Sequence, residues 1–296
     1  MAVSENLAML AILLLAAGLA VRTGTTAERA TARDECQALS GLVIPAGKIG
    51  LPTNGARVES GRFVASTAAG NVNGDYCEVK GWISPARASS PRMQFEVNLP
   101  NSWNGKLLQM GGGGFDGSLV TGLGGEGLQP KTVPHPLKRG YATAGGDGGH
   151  QGGPGFDGSF ALDQEALSNF GRESIKKVHD VAIAIIMARY AMKPGRTYFI
   201  GNSQGGHEAL NAAALYASDY DGVVANYPAY NVTMLHLASL NVGQAVYSNE
   251  GAGWLSSEKT KILTDAVRKA CDPLDGAMDG ISATFRPAIV PSTSAP

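Results

Sequence analysis

The sequence predicts an α/β protein in which a mostly parallel β-sheet is flanked by helices. Three observations support this class. Short runs of β-forming residues alternate with helical segments through the middle of the chain. The 296 residues are 44% hydrophobic, enough for a buried core, and carry a net charge of −1. The 40 glycines, about twice the usual share, form short clusters. Such clusters are typical of backbone that closely approaches another group.

The regular elements are expected from residue 93 onward. Alternating or β-rich runs predict five strands, at residues 93–99, 106–110, 141–145, 197–200 and 222–225. Helical spacing of apolar residues predicts a long helix over residues 172–192, which Pro194 and Gly195 end. A second helix follows the last-but-one strand and continues to about Ser218. Residues 31–91 contain several prolines and Asn-Gly turns, and we expect them to be loop-rich.

The N-terminus carries an unbroken apolar run at residues 7–21. It is shorter than the roughly 20 residues that span a bilayer, and small residues followed by a polar stretch come after it. We therefore predict a signal peptide over residues 1–27 and a secreted or periplasmic protein with no stable membrane association after cleavage. A short membrane anchor remains the alternative, because Glu5 lies in the leading segment and no Lys or Arg does.

Charge excludes two classes of function. The 24 Lys and Arg residues are balanced by 25 Asp and Glu residues, so there is no basic excess to neutralise phosphates and we expect no nucleic-acid partner. There is also no charge block of the kind found in disordered chains. No feature of the sequence indicates an oligomeric state.

Three cysteines are consistent with an exported protein that has one disulfide and one free thiol. We predict a bridge between Cys36 and Cys77, which flank the first polar segment. Cys271 then has no partner within the chain.

The motif that carries chemistry is Gly201-Asn202-Ser203-Gln204-Gly205. It matches the G-x-S-x-G nucleophile elbow, in which a tight turn between a strand and a helix exposes the serine hydroxyl. The amide of Gln204 would then face the oxygen that becomes negative in acyl transfer. The predicted strand before the motif and helix after it favour this interpretation over a glycine-rich loop with an ordinary serine.

A second glycine run, at residues 111–114, follows a predicted strand. Hydrolases with the elbow place the loop that gives the second oxyanion amide in such a position. No Lys-Ser or Lys-Thr pair follows, as a phosphate-binding P-loop would require.

These blocks, together with five others, resemble the tannase and feruloyl esterase family over residues 36–281. The further blocks are Cys36 with Cys77, residues 103–106, residues 146–150 and residues 221–225, followed by residues 271–276. The resemblance implies an α/β-hydrolase fold with a core at residues 31–240 and the start of a lid domain at 241–281. It also implies secreted serine esterases that hydrolyse esters of aromatic acids, such as feruloyl, galloyl or terephthalate monoesters.

The resemblance also assigns residues. Ser203 matches the nucleophile of the acyl-enzyme, and the amides of Gln204 and Gly114 match the oxyanion hole. A calcium loop of the lid is matched by Asp272, Asp275, Ala277, Asp279 and Ile281. Carboxylate and carbonyl oxygens are the ligands that Ca²⁺ prefers, although two Asp-Gly turns would give the same residues. A structural Ca²⁺ and no organic cofactor are therefore expected.

The sequence departs from the family at two places. Asn202 stands where the family has a cysteine bonded to one beside the catalytic histidine. Residues 282–296 form a Pro- and Ser-rich tail instead of the family's continuation, where the catalytic Asp and His are expected. We therefore expect a chain that stops before these two residues.

None of the histidines present is a strong substitute for that base. His207 follows Ser203 on the same helix and points along it, and His236 leads into the lid. His150 is expected to have a structural role, and His135 and His179 to be surface or packing residues. Three hypotheses stay open: an esterase for aromatic esters, a non-catalytic paralogue that keeps the pocket, and an inactive fragment.

Overall fold

The computed structural model describes residues 26–124, 132–152 and 155–281, without the side chains of residues 26, 27 and 275. It divides into two compact units, Met1–Tyr230 and Asn231–Pro296. The apolar run predicted to be a signal-peptide core lies outside the described residues. No helix in the described ranges combines the length and apolar character needed to cross a bilayer.

The first unit is built on one eight-stranded sheet. Its strands are β1 (Val43–Ile44), β2 (Ala56–Val64), β3 (Tyr76–Ile83), β4 (Met93–Pro100), β5 (Lys106–Met110), β6 (Ala142–Gly146), β7 (Arg196–Asn202) and β8 (Gly222–Asn226). They are ordered β1-β2-β3-β4-β6-β5-β7-β8. Pairings from β1 through β4 to β6 are antiparallel, and those from β6 through β5 and β7 to β8 are parallel. The parallel part carries the candidate site.

Four helices accompany this sheet: α1 (Thr26–Gln37), α2 (Gln164–Ser168), α3 (Ser174–Tyr190) and α4 (Gln204–Leu215). A π-helical segment, Asn169–Glu173, joins α2 to α3. Helix α1 packs on β2 and β3, α3 on β4 and β6, and α4 on β7 and β8. The predicted α/β class is confirmed.

The five strands expected from residue 93 onward are present, and no strand end differs from its predicted position by more than two residues. The long helix is also present: α3 buries an apolar stripe that includes Val181, Ile185 and Ile186 against the sheet. It ends where Ala191 adopts a left-handed backbone with φ 53°, shortly before Pro194 and Gly195. Local hydrophobic patterning was therefore sufficient to locate these elements.

The prediction that residues 31–91 are loop-rich was wrong. Two long antiparallel strands, β2 and β3, lie there with helix α1. Glycines within both strands interrupt the apolar pattern. Gly81 is needed because a Cβ there would lie 2.6 Å from the ring of Phe95 and would meet the carbonyl of Arg57. Close packing between the strands therefore requires glycine at this position, although glycine in a sequence usually indicates a turn.

The predicted disulfide is present between Cys36 at the end of α1 and Cys77 on β3, with the Cα atoms 5.6 Å apart. Both cysteines are fully buried in the core cluster between α3 and the sheet. Cys271 is a free thiol. The bridge ties the N-terminal helix to the antiparallel part of the sheet.

The second unit consists of α5 (Val232–Gly251), α6 (Ser257–Cys271) and a 3₁₀ turn, Asp272–Asp275. Asn231 and Ser256 cap the two helices: their side-chain oxygens accept the amides of Met234 and Lys259. Helix α5 breaks near its end, where Ser248, Asn249 and Glu250 leave helical geometry.

Candidate active site

Ser203 lies at the turn between β7 and α4, as the elbow motif predicts. Its φ is 54° and its ψ −115°, a backbone conformation that residues other than glycine rarely adopt. Such backbone costs of order 1–3 kcal/mol and persists only where the surrounding structure enforces it. The turn is enforced here by hydrogen bonds from the Ser203 amide to the Asn226 carbonyl and from the Ala229 amide to the Ser203 carbonyl, 3.2 Å and 2.9 Å long.

The glycines of the motif are required by close backbone contacts. A Cβ on Gly201 would collide with the carbonyl of Gly205, and a Cβ on Gly205 would lie 2.8 Å from the carbonyl oxygen of Gly112. The turn therefore closes on itself and on the preceding glycine run. No larger residue fits at either position without movement of the backbone.

We call Gly111–Gly114 the oxyanion loop. It follows β5 and is attached to the elbow by two backbone hydrogen bonds, from the Gly111 amide to the Ile200 carbonyl (2.9 Å) and from the Gly205 amide to the Gly112 carbonyl (3.0 Å). Within the described residues, the amides of Gly113, Gly114 and Gln204 have no protein acceptor. These three backbone donors are therefore not used by the described part of the chain.

Two buried carboxyl groups lie behind this loop, and the sequence reasoning missed both. Glu208, on the second turn of α4, accepts the Gly112 amide at 2.9 Å. Asp116 follows the loop and has the left-handed φ of 52°. Burial raises the pKa of both groups, and the neighbouring charge of Glu208 helps to raise that of Asp116 to about 10. The sequence contained one indication that Glu208 is buried: this glutamate lies on the face of α4 that also carries the buried residues Ala209 and Ala212.

The histidines of the first unit do not complete a catalytic pair. His150 is buried, with Nε2 2.8 Å from the Phe115 carbonyl oxygen and its ring stacked on Phe160, which agrees with the structural role expected for it. The Nδ1 atom of His207 is buried without a partner, and burial lowers the pKa of this imidazole. Within residues 26–124, 132–152 and 155–230, no histidine is hydrogen-bonded to the Ser203 hydroxyl.

Of the other three histidines, His135 is half-buried. His179 is a packing residue, as expected: it is buried, bonds Asp180 through Nδ1 at 2.9 Å and contacts Tyr220 edge-on. His236 lies on α5, in the second unit.

Asn202 precedes Ser203, where the resemblance expects cysteine. Its side-chain oxygen accepts a 2.9 Å hydrogen bond from the amide group of Asn226 on β8. This polar contact joins the ends of the two parallel strands beneath the elbow.

The residues expected to bind calcium form a tight loop in the second unit. Gly276 and Gly280 have left-handed φ values of 89° and 80°. Asp272 is buried and accepts the Gly280 amide at 2.9 Å, and Asp279 accepts the amide of Ile281. The described residues contain no group of three or more acidic, His or Cys side chains that could hold a metal ion, and the side chain of residue 275 is outside them. The loop is thus closed by hydrogen bonds and by two left-handed glycines.

The chain is similar to known proteins of one family. A family model described as tannase and feruloyl esterase matches residues 77–287. An uncharacterized esterase of Agrobacterium fabrum is 42% identical over 246 residues, which cover 83% of this chain and 44% of the relative. Mono(2-hydroxyethyl) terephthalate hydrolase of Piscinibacter sakaiensis is 29% identical over 240 residues, 75% and 40% of the two chains.

A solved structure shows the same similarity at the level of the fold. The crystal structure of an esterase from Aspergillus oryzae superimposes with a TM-score of 0.67 at 25% identity and covers 85% of this chain and 48% of its own. The chain thus spans about half the length of the relatives it matches. By its family match, its elbow and its fold, this chain belongs to the tannase and feruloyl esterase family.

Proposed function

We propose that this protein is a secreted serine carboxylic ester hydrolase that acts on aromatic-acid esters of the feruloyl or galloyl type through an acyl-enzyme on Ser203. The observation that carries the proposal is the strained Ser203 between β7 and α4, together with loop amides that have no protein acceptor among the described residues. Strain at one serine next to unpaired backbone donors is typical of a site for acyl transfer.

The reaction follows from these groups. The Ser203 oxygen attacks the ester carbonyl carbon while its proton passes to a general base. The carbonyl oxygen becomes an oxyanion, which the amides of Gln204 and Gly114 stabilise. Collapse of this intermediate breaks the bond to the alcohol, which leaves with a proton, and Ser203 is acylated. Water then attacks the acyl carbon, releases the acid and restores the serine hydroxyl.

Among the described residues of the first unit, no histidine is hydrogen-bonded to the Ser203 hydroxyl as a general base would be. The family resemblance assigns these roles to residues beyond the calcium loop. An alternative function, a non-catalytic protein that keeps the pocket, is favoured by one observation: the Ser203 hydroxyl has no histidine partner in the described part of the first unit.

The substrate class and the location rest on separate observations. The family description names feruloyl esterases, and one relative is named for a terephthalate monoester, so an aromatic acyl group is proposed here. Secretion is supported by the apolar N-terminal run and by the buried Cys36–Cys77 bridge, because disulfides persist in oxidising compartments.

A fluorophosphonate probe tests the nucleophile directly. We expect the probe to label Ser203, located by mass spectrometry of the digested protein, and methyl ferulate to slow the labelling by competition. Unfolded protein is the control, since a serine outside the elbow should not react. Ser203 left unlabelled, together with no acid released from methyl ferulate, would overturn the esterase proposal and favour the non-catalytic alternative.

We further propose a structural Ca²⁺ in the second unit, held by carboxylates of Asp272, Asp275 and Asp279 and by the carbonyls of Ala277 and Ile281. Its support is the loop closed by the Asp272–Gly280 hydrogen bond and the two left-handed glycines, Gly276 and Gly280. Calcium bound there would hold the loop by neutralising adjacent carboxylates.

Calcium should therefore raise the melting temperature, and a chelator should lower it. A ligand that binds only the native state at 100 times its Kd contributes about 2.7 kcal/mol. Asp272→Asn keeps an oxygen for the Gly280 amide but removes a charge, so we expect it to weaken the response to Ca²⁺ in calorimetric titration. Asp265→Asn, in the exposed pair with Lys261 on α6, is the matched control. A melting temperature that neither Ca²⁺ nor chelator changes would contradict the site.

A further inference from the structure

Asp116 and Glu208 form a carboxyl pair behind the oxyanion loop, and the reaction described above does not use it. Only 7% of Asp116 and 6% of Glu208 is exposed. Asp116 belongs to the loop segment, whereas Glu208 belongs to the helix that begins directly after Ser203. The pair therefore connects the two halves of the proposed oxyanion hole.

Glu208 makes the connection to the loop. Its Oε2 atom accepts the amide of Gly112 at 2.9 Å, and the next two amides along the loop are those without a protein acceptor. A Cβ on Gly111 would lie 2.7 Å from the same oxygen. The absence of a side chain at residue 111 thus lets the carboxylate reach the loop backbone.

Asp116 fits into a space left by two other glycines. A Cβ on Gly112 would lie 2.7 Å from its Oδ1 atom, and a Cβ on Gly148 would lie 2.5 Å from its Oδ2 atom. The Oδ1 atom has no hydrogen-bond partner among the described residues. Asp116 is also held in left-handed backbone with φ 52°. Asp116 thus combines tight packing against two glycines, a buried oxygen without a partner among the described residues, and left-handed backbone. Each of these features costs free energy, which indicates that the carboxyl group is needed at this place.

The surroundings supply no positive charge to the pair. Neither carboxyl forms an ion pair with Lys, Arg or His within the described ranges. The adjoining cavity has about 20 Å³, room for about one water molecule. Two negative charges in such a space would repel each other strongly. The pair is therefore stable with one shared proton. Burial raises the pKa of both groups, and the charge of Glu208 further raises that of Asp116, to about 10.

Other titratable groups act on the pair from the elements packed around it. Asp147, at the end of β6, faces Asp116; it is buried and accepts the amides of Gln94 and Gly149, each at 2.9 Å. His150 lies beside Asp147 and favours its charged form. The Tyr220 hydroxyl, which donates to Gln109 at 2.8 Å, is influenced by Glu208. None of them provides a cation in direct contact with either carboxyl.

We propose that Asp116 and Glu208 are positioning residues that share one proton and thereby hold the oxyanion loop against the elbow. This inference rests on the proposed function and adds one condition to it, that the pair holds its proton. While the proton is present, Asp116 donates to Glu208 and Glu208 accepts from Gly112. When the proton is lost at alkaline pH, the two carboxylates repel each other, the loop moves away, and the oxyanion hole is no longer assembled.

The first test measures the proton without using activity. In the folded protein Asp116 keeps its proton up to about pH 10. In the unfolded chain an aspartate loses its proton at about pH 4. The stability that this group contributes is therefore full below about pH 4 and decreases as the pH rises toward 10. In Asp116→Asn the amide donates to Glu208 without titrating. The pH dependence of the unfolding free energy, measured by thermal unfolding between about pH 6 and 9, gives the number of protons taken up on folding. We expect this number to be smaller by about one in Asp116→Asn than in the wild type.

The matched control is Asp157→Asn, which removes an exposed carboxylate from a nearby loop and should leave the proton number unchanged. Equal proton numbers for the wild type and Asp116→Asn would overturn the shared proton. If Asp116→Asn does not fold, Glu208→Gln serves instead, because its amide oxygen can still accept from Gly112.

The second test separates positioning from a merely structural role. We expect the rate of Ser203 labelling by the phosphonate, normalised to each variant's own maximum, to decrease in the wild type near about pH 10, the pKa of Asp116. In Asp116→Asn this decrease should move to higher pH. Glu208→Ala should slow labelling by about 10²–10³-fold, as loss of an oxyanion donor does.

The outcomes are distinct. No labelling of Ser203 at any pH would refute the proposed function and with it the positioning role, whereas the proton count would still decide whether the pair shares a proton. Labelling with the same pH profile in the wild type and Asp116→Asn would refute positioning and leave the pair a structural contact.

Discussion

Replacing Ser203 with alanine should reduce kcat for hydrolysis of methyl ferulate by about 10⁴- to 10⁶-fold. The reason is that no other hydroxyl lies at the turn between β7 and α4, where the oxyanion-loop amides are attached. KM should change little, because the substitution removes a single oxygen atom and leaves the surrounding residues in place. Initial rates of ferulic acid release, with enzyme concentration corrected for folded fraction, measure both constants.

Ser218→Ala is the matched control, since it removes an exposed hydroxyl just beyond the other end of α4. Ser203→Gly gives a second comparison: glycine tolerates the φ of 54°, so this variant should be inactive yet more stable, by up to about 1–3 kcal/mol. Hydrolysis that survives in both Ser203 variants would show that the nucleophile lies elsewhere.

Loss of the Cys36–Cys77 bridge should lower the free energy of unfolding by about 3–4 kcal/mol. The bridge closes a loop of 41 residues, and its removal increases the conformational freedom of the unfolded chain. Both sulfurs are fully buried, so the double variant Cys36→Ala/Cys77→Ala avoids burying new polar atoms. Urea unfolding of the oxidised wild type and of this variant measures the difference.

Cys271→Ser provides the control, because Cys271 is a free thiol and its replacement should leave the urea midpoint unchanged. A reducing agent should shift the midpoint of the wild type and of Cys271→Ser, but not that of the double variant. A difference below about 1 kcal/mol between the wild type and the double variant would contradict an important role for the loop closure.

Much of the parallel half of the fold was predictable from local patterns. Strand β5 has the bounds expected from its apolar run, and α3 follows its helical spacing closely. The elbow was predictable because a strand, five motif residues and a helix are consecutive in sequence. Features that depend on neighbours along the chain are encoded in the order of the residues.

The antiparallel half was not predictable in the same way. Strand β2 contains Gly61 and β3 contains Gly81, and each glycine is required by a contact with a residue distant in sequence. Local reasoning treats glycine as a turn residue, whereas here it permits close packing of strands against a helix and an aromatic ring. These strands depend on tertiary contacts, which the local sequence pattern does not show, so the pattern was misleading.

The sequence by itself determined the strand–turn–helix position of Ser203, the glycine run bonded to it, the disulfide partners and the α/β class, because each depends on residue type and on order along the chain. Only the tertiary structure placed Glu208 on the amide of Gly112 and Asp116 between Gly112 and Gly148. Those carboxyl groups are about 90 positions apart, and their raised pKa values arise from burial that no local pattern reveals. The assembly of the oxyanion loop is therefore a property of packing.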